Sequence, residues 1–258
     1  WCLWVILFCN ITAGIGILEN AAPMVQDYYP ALTAAAAAGF VGLLSLANMG
    51  GRFIWSSASD VIGRKNIYMV YLGVGLIFYF VVASAGHTSL ALFVVSTLIL
   101  LTFYGGGFST IPAYLRDLFG VYQVGAIHGR LLTAWSAAGV AGPLIINMVV
   151  ERQASRGNSG PELYQLSLYI MCVLLAVGLV ANILVKPVHK KWFEDPETVQ
   201  AKVEADRASA RASATTATAS GAGSLHALAA VVLALVIAVL LVYGLWETAA
   251  KASQMFAG

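Results

Sequence analysis

The sequence predicts an all-α integral membrane protein, with six consecutive membrane-spanning helices and one further helix appended to them. Of the 258 residues, 60% are hydrophobic and only 10% are charged, and the mean hydropathy is +0.82. A soluble domain carries about 25% charged residues, because it has to cover its core with a hydrated shell. This chain has 14 lysines and arginines and 12 aspartates and glutamates, too few to keep so much apolar surface in water.

Seven stretches are apolar enough to cross a bilayer, which takes about 20 mostly apolar residues. We expect helices, because open sheet edges cannot be satisfied in lipid and the alternating pattern of a membrane barrel does not occur in the sequence. Short connections join the first six stretches, which predicts a packed bundle. The predicted spans are residues 2–22, 32–55, 67–85, 90–111, 124–150, 164–185 and 225–246.

Basic residues in the connections predict the orientation of the spans, because lysine and arginine concentrate in cytoplasmic loops. The second and fourth connections carry Arg64, Lys65 and Arg116, and the segment after the sixth span is rich in both residue types. The first and third connections have neither, and only the fifth, with two arginines, goes against the trend. We therefore expect the first span to begin in the cytoplasm and residues 187–224 to lie there.

Composition divides the chain into three predicted segments. Residues 1–190 form the six-helix bundle, and residues 191–224 are a cytoplasmic segment whose charged part, 194–211, could form a surface helix. Residues 212–224 are nearly all Ala, Ser, Thr and Gly, which predicts a flexible tether. The last segment, residues 225–258, holds the appended helix. Because the sequence starts inside an apolar stretch without an initiator Met, we expect a fragment of a longer protein.

Several function classes have no support in the sequence. A net charge of +2 without clustered basic residues does not favour nucleic acid. Cys2, Cys9 and Cys172 lie in apolar runs without metal-ligand spacing, so we expect neither a metal site nor disulfides. No hydrolase motif stands inside a span, and the glycine triplet at 105–107 lacks the lysine of a phosphate-binding loop. We therefore expect no enzymatic activity and no cofactor.

Small residues predict close helix packing in the fourth and fifth spans. The glycine triplet at 105–107 is followed by Pro112, and transporter helices often break where they line a cavity. Tyr104, directly before the triplet, could line such a cavity or simply pack in the core. The small face of the fifth span consists of Ala134, Ala138, Gly139, Ala141 and Gly142.

The most specific motif lies between the second and third spans, within residues 51–65. Asp60 can accept hydrogen bonds from helix N-terminal amides or from an arginine, and Gly63 permits a tight turn. Arg64 and Lys65 would then hold the connection at the cytoplasmic side. An ordinary charged turn would need no further function.

This motif resembles the cytoplasmic loop motif of the major facilitator superfamily, G…D-x-x-G-R-[RK]. Over residues 1–190 the chain is also similar to the oxalate/formate antiporter family, in its carboxyl-terminal half. The resemblance implies half of a translocation pathway in a bacterial inner membrane, with the amino-terminal half as a missing partner. It implies a gate made of Gly51, Asp60, Gly63, Arg64 and Lys65. The resemblance is carried by Trp1, Trp4, Asn20, Pro23, residues 48–53, Trp55, Ser59, Asp60, and residues 105–108, 112, 117–120 and 128–135.

Arg52 is a charge near the cytoplasmic end of the second predicted span, and such charges usually face a bundle interior or a water-filled cavity. Asn48 lies one turn earlier on the same face. A guanidinium binds a carboxylate through two parallel hydrogen bonds, although snorkelling to the interface would also explain Arg52. The resemblance favours the first reading, because the matched arginine of the oxalate transporter binds the dicarboxylate.

Trp135 stands where, by the same resemblance, the oxalate transporter has a lysine as its second cation. One cation beside an apolar wall fits a monoanion such as formate, lactate or pyruvate. We therefore expect a small monocarboxylate as the substrate, bound by Arg52, Asn48, Trp135 and Tyr104. Packing in a helix interface is the other explanation of Trp135.

Glu19, near the extracellular end of the first span, is the candidate for proton coupling, because a partly buried carboxylate there could exchange protons with the outside. An interfacial carboxylate in contact with water is the simpler reading. No ATP-binding loop occurs in the sequence, so we expect a secondary transporter working by alternating access, as a proton symporter first and an anion exchanger second. A non-transporting sensor of organic acids and an oxalate/formate-type exchanger stay open as alternatives.

Overall fold

A computed structural model of the chain describes residues 1–122, 124–188, 196–219 and 223–254. These ranges contain eight α-helices and no strand, which confirms the predicted fold class. The helices are α1 (Cys2–Tyr28), α2 (Ala34–Ile62), α3 (Arg64–Ala85), α4 (Leu90–Phe119), α5 (Val124–Ala154), α6 (Glu162–Leu184), α7 (Pro196–Ala219) and α8 (Gly223–Gln254).

The chain separates into two compact units. The body of the first is Trp1–Lys186, which holds α1 to α6, and the second is Pro187–Ala250, which holds α7 and most of α8. All six helices of the first unit are long and apolar enough to cross a bilayer, as predicted. Three of them run well past the predicted spans, α1 to Tyr28, α2 to Ile62 and α4 to Phe119, because polar residues outside the hydrocarbon can continue a helix.

Contacts at the helix ends show that the first unit is built of antiparallel neighbours. At one end, Arg64 at the start of α3 meets Asp117 near the end of α4, with 3.5 Å between Nε and Oδ2. At the same end, the Lys65 amine donates to the carbonyl of Val185 at 2.7 Å, just after α6. At the opposite end, the Tyr164 hydroxyl at the start of α6 donates to Asp27 near the end of α1 at 2.7 Å. The helices therefore alternate in direction as predicted.

Helices α2 and α4 approach each other closely because glycines line their contact. A Cβ on Gly51 would lie 2.3 Å from the Thr102 carbonyl oxygen, and a Cβ on Gly105 would lie 2.0 Å from that of Asn48. Both distances are far below van der Waals contact, so no larger residue fits without separating the helices. The glycine triplet is thus a packing surface, and α4 continues through it and through Pro112 without a break.

Helices α1 and α5 pack through the small face predicted for the fifth span. Ala134 and Ala138 are fully buried, and a Cβ on Gly142 would lie 2.7 Å from the Thr12 carbonyl oxygen. The prediction is wrong for Gly139, which faces open space because the helix turns it away from α1. The residues of α5 that contact α1 are therefore spaced by four, as expected for residues on one face of a helix.

The second unit corrects one prediction and leaves another untested. The helix expected from the charged segment begins at Pro196, but it continues to Ala219, into the tract that we expected to be a flexible tether. Alanine is the strongest helix former, which explains the extension. Residues 191–195 and 220–222, also within the predicted cytoplasmic segment, lie outside the described residues. The predicted seventh span falls within α8, whose apolar part covers Val231–Gly244, so it stays a prediction.

Replacing Gly51 by alanine should lower the stability of the bundle by about 1–3 kcal/mol, because the new methyl group would overlap the Thr102 backbone. Gly50 is the matched control, since a Cβ at that position meets nothing within 4 Å. Thermal unfolding of the purified protein in detergent compares the two variants. Equal melting temperatures for Gly51→Ala and Gly50→Ala would contradict the close contact of α2 with α4.

Candidate functional site

Arg52 lies deeper in its helix than the sequence indicated. Helix α2 has 29 residues, so it is about 44 Å long, and ten residues, about 15 Å, separate Arg52 from its end at Ile62. The predicted span ended at residue 55, which had placed Arg52 within about one turn of the interface. The residues of α2 after 55 are the polar extension outside the hydrocarbon, so Arg52 lies about one turn inside the cytoplasmic boundary of the span. Snorkelling to that boundary stays open as an explanation of this charge.

The guanidinium of Arg52 rests on an aromatic ring of the neighbouring helix. Its central carbon lies 5.3 Å from the centre of the Phe108 ring on α4, within the range of a cation–π interaction. Arg64 forms ion pairs with two carboxylates, whereas Arg52 has no carboxylate partner among the described residues. The side chain is exposed on the six-helix unit, and its N–H donors stay available for a ligand.

Two further aromatic residues lie beside this arginine. The Trp135 ring on α5 is 5.2 Å from the Phe108 ring, with an angle of 51° between the planes, and its side chain is 42% exposed. Tyr104, one turn before Phe108, is buried against Gly14 and lies near Arg52, Trp135 and Glu19. The structure therefore brings together Arg52, Tyr104 and Trp135, three of the four residues predicted to bind the substrate.

Phe108 is the member of this group that sequence reasoning missed. Its position four residues after Tyr104 placed it on the same face of α4, and that spacing was the available signal. The backbone is fixed beside it, because the Ser109 hydroxyl donates to the Arg52 carbonyl at 3.2 Å and the Ser56 hydroxyl donates to Ser109 at 2.8 Å. These bonds join α2 and α4 at the level of the guanidinium.

Asn48 and Glu19 lie at the edges of this group. The Asn48 side chain is half-buried in the contact of α2 with α4, close to Gly105, and its Oδ1 has no partner in the part of the chain described. The expectation that Glu19 would be partly buried is wrong for this unit, where its side chain is exposed. Its neighbour Asn20 takes the buried position instead and donates to the Gly16 carbonyl at 3.1 Å.

The motif between α2 and α3 is a one-residue turn rather than a loop. Gly63 alone separates the helices, and its φ of 91° lies in the region that favours glycine. The guanidinium of Arg64 folds back onto the last turns of α2, where it contacts the Ser59 hydroxyl and the Asp60 carboxylate. It also faces Asp117 of α4, so this turn is tied to a third helix.

The remaining motif residues have different surroundings from those expected. Lys65 is exposed, and its amine donates to the carbonyls of Ile183 and Val185 at 3.0 and 2.7 Å, where it satisfies the C-terminal end of α6. Gly51 lies inside α2, three turns before Gly63, and contacts Thr102 rather than the turn. The motif therefore combines a packing position with an ion-paired turn.

A bundle of apolar helices that carries an unpaired charge within a span is typical of membrane transporters. Comparison with known families agrees, because residues 3–256 match the Major Facilitator Superfamily. The chain belongs to this superfamily and is an integral membrane protein, and the superfamily consists of transporters that carry small molecules across the lipid bilayer. No curated protein sequence matches the chain at a significant level.

Replacing Arg64 by glutamine should lower the stability by about 1–3 kcal/mol, because its charged hydrogen bonds to Ser59 and Asp60 are lost. Arg116, exposed in the last turn of α4, is the matched control, and Arg116→Gln should change little. Denaturation of the purified protein provides the measurement. If both variants unfold alike, the Arg64 contacts do not hold the turn between α2 and α3.

Proposed function

We propose that the protein is a secondary transporter that moves a small monocarboxylate, such as formate, lactate or pyruvate, by alternating access. The observation that carries this proposal is the guanidinium of Arg52, which lies within the predicted span over Phe108 and has no carboxylate partner among the described residues. A positive charge inside a membrane without a permanent counter-ion is suited to bind an anionic substrate that is then released.

The ring of Phe108 occupies one face of the guanidinium and leaves its edge free. Two parallel N–H groups at that edge match the two oxygens of a carboxylate, which is the arrangement that arginine provides and lysine does not. The exposed indole of Trp135 supplies an apolar surface for the short carbon chain, while its N–H interacts with the Tyr104 hydroxyl. Tyr104 closes the site from the side of α1.

The candidate site contains one cation, Arg52, which favours a monoanion as the substrate. A second carboxylate of a dianion such as oxalate would meet Phe108 and Trp135, which cannot neutralise it, and an unpaired charge in a site of low dielectric is costly. A monocarboxylate leaves no charge unpaired. Asn48, one turn from Arg52, supports this site through its contact with Gly105 of α4.

We further propose that the chain supplies the carboxyl-terminal half of a transporter of the oxalate/formate antiporter family. The exposure of Arg52 and Trp135 on the six-helix unit supports this, since a second half would cover them and enclose the substrate. The two halves would then rock about the substrate, and the turn at Gly63 would act as a latch as the Arg64 contacts with Asp117 break and re-form.

Glu19 is the proposed coupling group. Its carboxylate is exposed on the six-helix unit, and both this carboxylate and the Arg52 guanidinium lie within electrostatic range of Tyr104. The transport energy then comes from a proton gradient, with anion exchange as the second mode. Lipid and a small organic anion are the expected partners, together with the amino-terminal half.

Uptake of labelled monocarboxylates into vesicles containing the complete transporter tests the role of Arg52. Arg52→Gln should lower uptake by about 100-fold, because two charged hydrogen bonds are lost, and Arg52→Lys by about 10-fold, because the charge remains without the paired donors. Arg130→Gln, at an exposed position near the start of α5, is the control and should transport normally. Full activity of Arg52→Gln would show that Arg52 does not bind the substrate and only anchors the helix at the membrane interface.

Trp135→Lys tests the proposed preference for monoanions. A lysine at this exposed position would add a second cation near Arg52, so the variant should bind oxalate, which the unaltered protein should ignore. Inhibition of monocarboxylate uptake by oxalate measures the change, with Trp135→Gln as an uncharged control. Oxalate uptake by the unaltered protein would refute the preference, whatever the variant does.

A further inference from the structure

The ring of Tyr104 on α4 lies directly against Gly14 on α1. A Cβ on Gly14 would be 2.4 Å from Cδ2 of Tyr104, 2.5 Å from its Cγ and 2.6 Å from its Cβ. Carbon atoms pack at about 3.5–4.0 Å, so all three distances mean overlap. Because the Cβ of Tyr104 is one of the overlapping atoms, rotating the ring about its side-chain bonds would not relieve it. Position 14 therefore accepts only glycine while Tyr104 keeps its place.

Helix α4 has little room to move away from α1, because its glycine triplet holds it close to neighbouring helices. On the α2 side, a Cβ on Gly105 would lie 2.0 Å from a carbonyl oxygen. On the α1 side, a Cβ on Gly107 would lie 2.3 Å from the Oδ1 of Asn10. The contact between α1 and α4 is thus reciprocal, since each helix places one side chain on a glycine of the other. This arrangement fixes the position of Tyr104 along α1.

Tyr104 connects this contact to the exposed part of the candidate site. Its hydroxyl interacts with the indole N–H of Trp135, whose ring lies 5.2 Å from the ring of Phe108. Phe108 in turn carries the guanidinium of Arg52, 5.3 Å from the centre of its ring. A continuous series of contacts therefore runs from α1 through α4 to α5 and to the charge on α2.

We propose that Gly14 is a positioning residue of the candidate site, because its missing side chain determines where the ring of Tyr104 lies. With the ring in this place, the Tyr104 hydroxyl meets the indole of Trp135 and holds it as one wall of the site. This orientation of Trp135 follows from packing and needs no assumption about the substrate. The effect of Gly14 on a transported monocarboxylate rests on the proposed function.

Tryptophan fluorescence of the full chain in detergent tests the orientation of Trp135 without any substrate. The chain has six tryptophans, so subtracting the emission of the matching Trp135→Phe protein isolates this one indole. In Gly14→Ala, the isolated emission should shift to longer wavelength and be quenched more strongly by acrylamide, because the indole loses the tyrosine hydroxyl. Tyr104→Phe, which keeps the ring and removes only the hydroxyl, should give the same shift. An unchanged Trp135 emission in either variant would overturn the proposal.

Gly178→Ala is the control for a general packing defect. A Cβ on Gly178 of α6 would lie 3.1 Å from the Cβ of Cys9 on α1, and α6 carries no residue of the candidate site. This variant should leave the emission of Trp135 unchanged. A shift equal to that of Gly14→Ala would show that any disturbance of α1 suffices, and would contradict a specific role of Gly14.

Uptake by the complete transporter gives the second readout. Gly14→Ala should raise the KM for a monocarboxylate by about tenfold, with a smaller change in the maximal rate, because a displaced wall fits the bound acid less well. In a Tyr104→Ala background the same substitution should change KM little, since Gly14 acts through the ring that is then absent. A full tenfold effect in that background would contradict the proposal. If the unaltered protein transports no monocarboxylate, the proposed function fails, and the fluorescence alone decides the role of Gly14.

Discussion

The unit depends on one constraint: a guanidinium lies within the span of α2 and no carboxylate of the described chain neutralises it. A charged side chain inside the hydrocarbon of a bilayer costs up to about 3 kcal/mol on insertion scales and more in simulations. The cation–π contact of Arg52 with Phe108 offsets about 1–2 kcal/mol of this cost. The remaining cost of placing the charge in the membrane has to be compensated by water, by a ligand or by a further part of the transporter. Each of these requires an opening next to Arg52.

The close contact of α2 with α4 is what places Phe108 under Arg52. Gly51 and Gly105 let the backbones of the two helices nearly touch, and the Ser109 hydroxyl fixes their register through its bond to the Arg52 carbonyl. A larger residue at either glycine would separate the helices and move the ring away from the guanidinium. Packing positions that seem remote from substrate chemistry therefore determine the geometry of the candidate site.

Patterns along the chain predicted the spans, the seam of small residues and the tight turn at Gly63, because each is a local property of a few neighbouring residues. The helix ends at Ile62 and Phe119 were missed, since hydropathy reports the thickness of the membrane and not the length of the helix. The contacts of Arg52 with Phe108 and of Arg64 with Asp117 join distant parts of the chain, so no local pattern could pair these residues, and spacing on α4 indicated only the face on which Phe108 lies. The exposure of Glu19 likewise follows from tertiary packing alone.

Chemical modification of arginine tests most directly whether Arg52 binds the transported anion. Phenylglyoxal reacts with accessible guanidinium groups, and mass spectrometry of the complete transporter can follow the adduct at each arginine. A transported monocarboxylate should slow modification of Arg52 and leave that of exposed Arg130 unchanged. Modification of Arg52 at the same rate with and without a carboxylate that the protein demonstrably transports would contradict the central role of this charge.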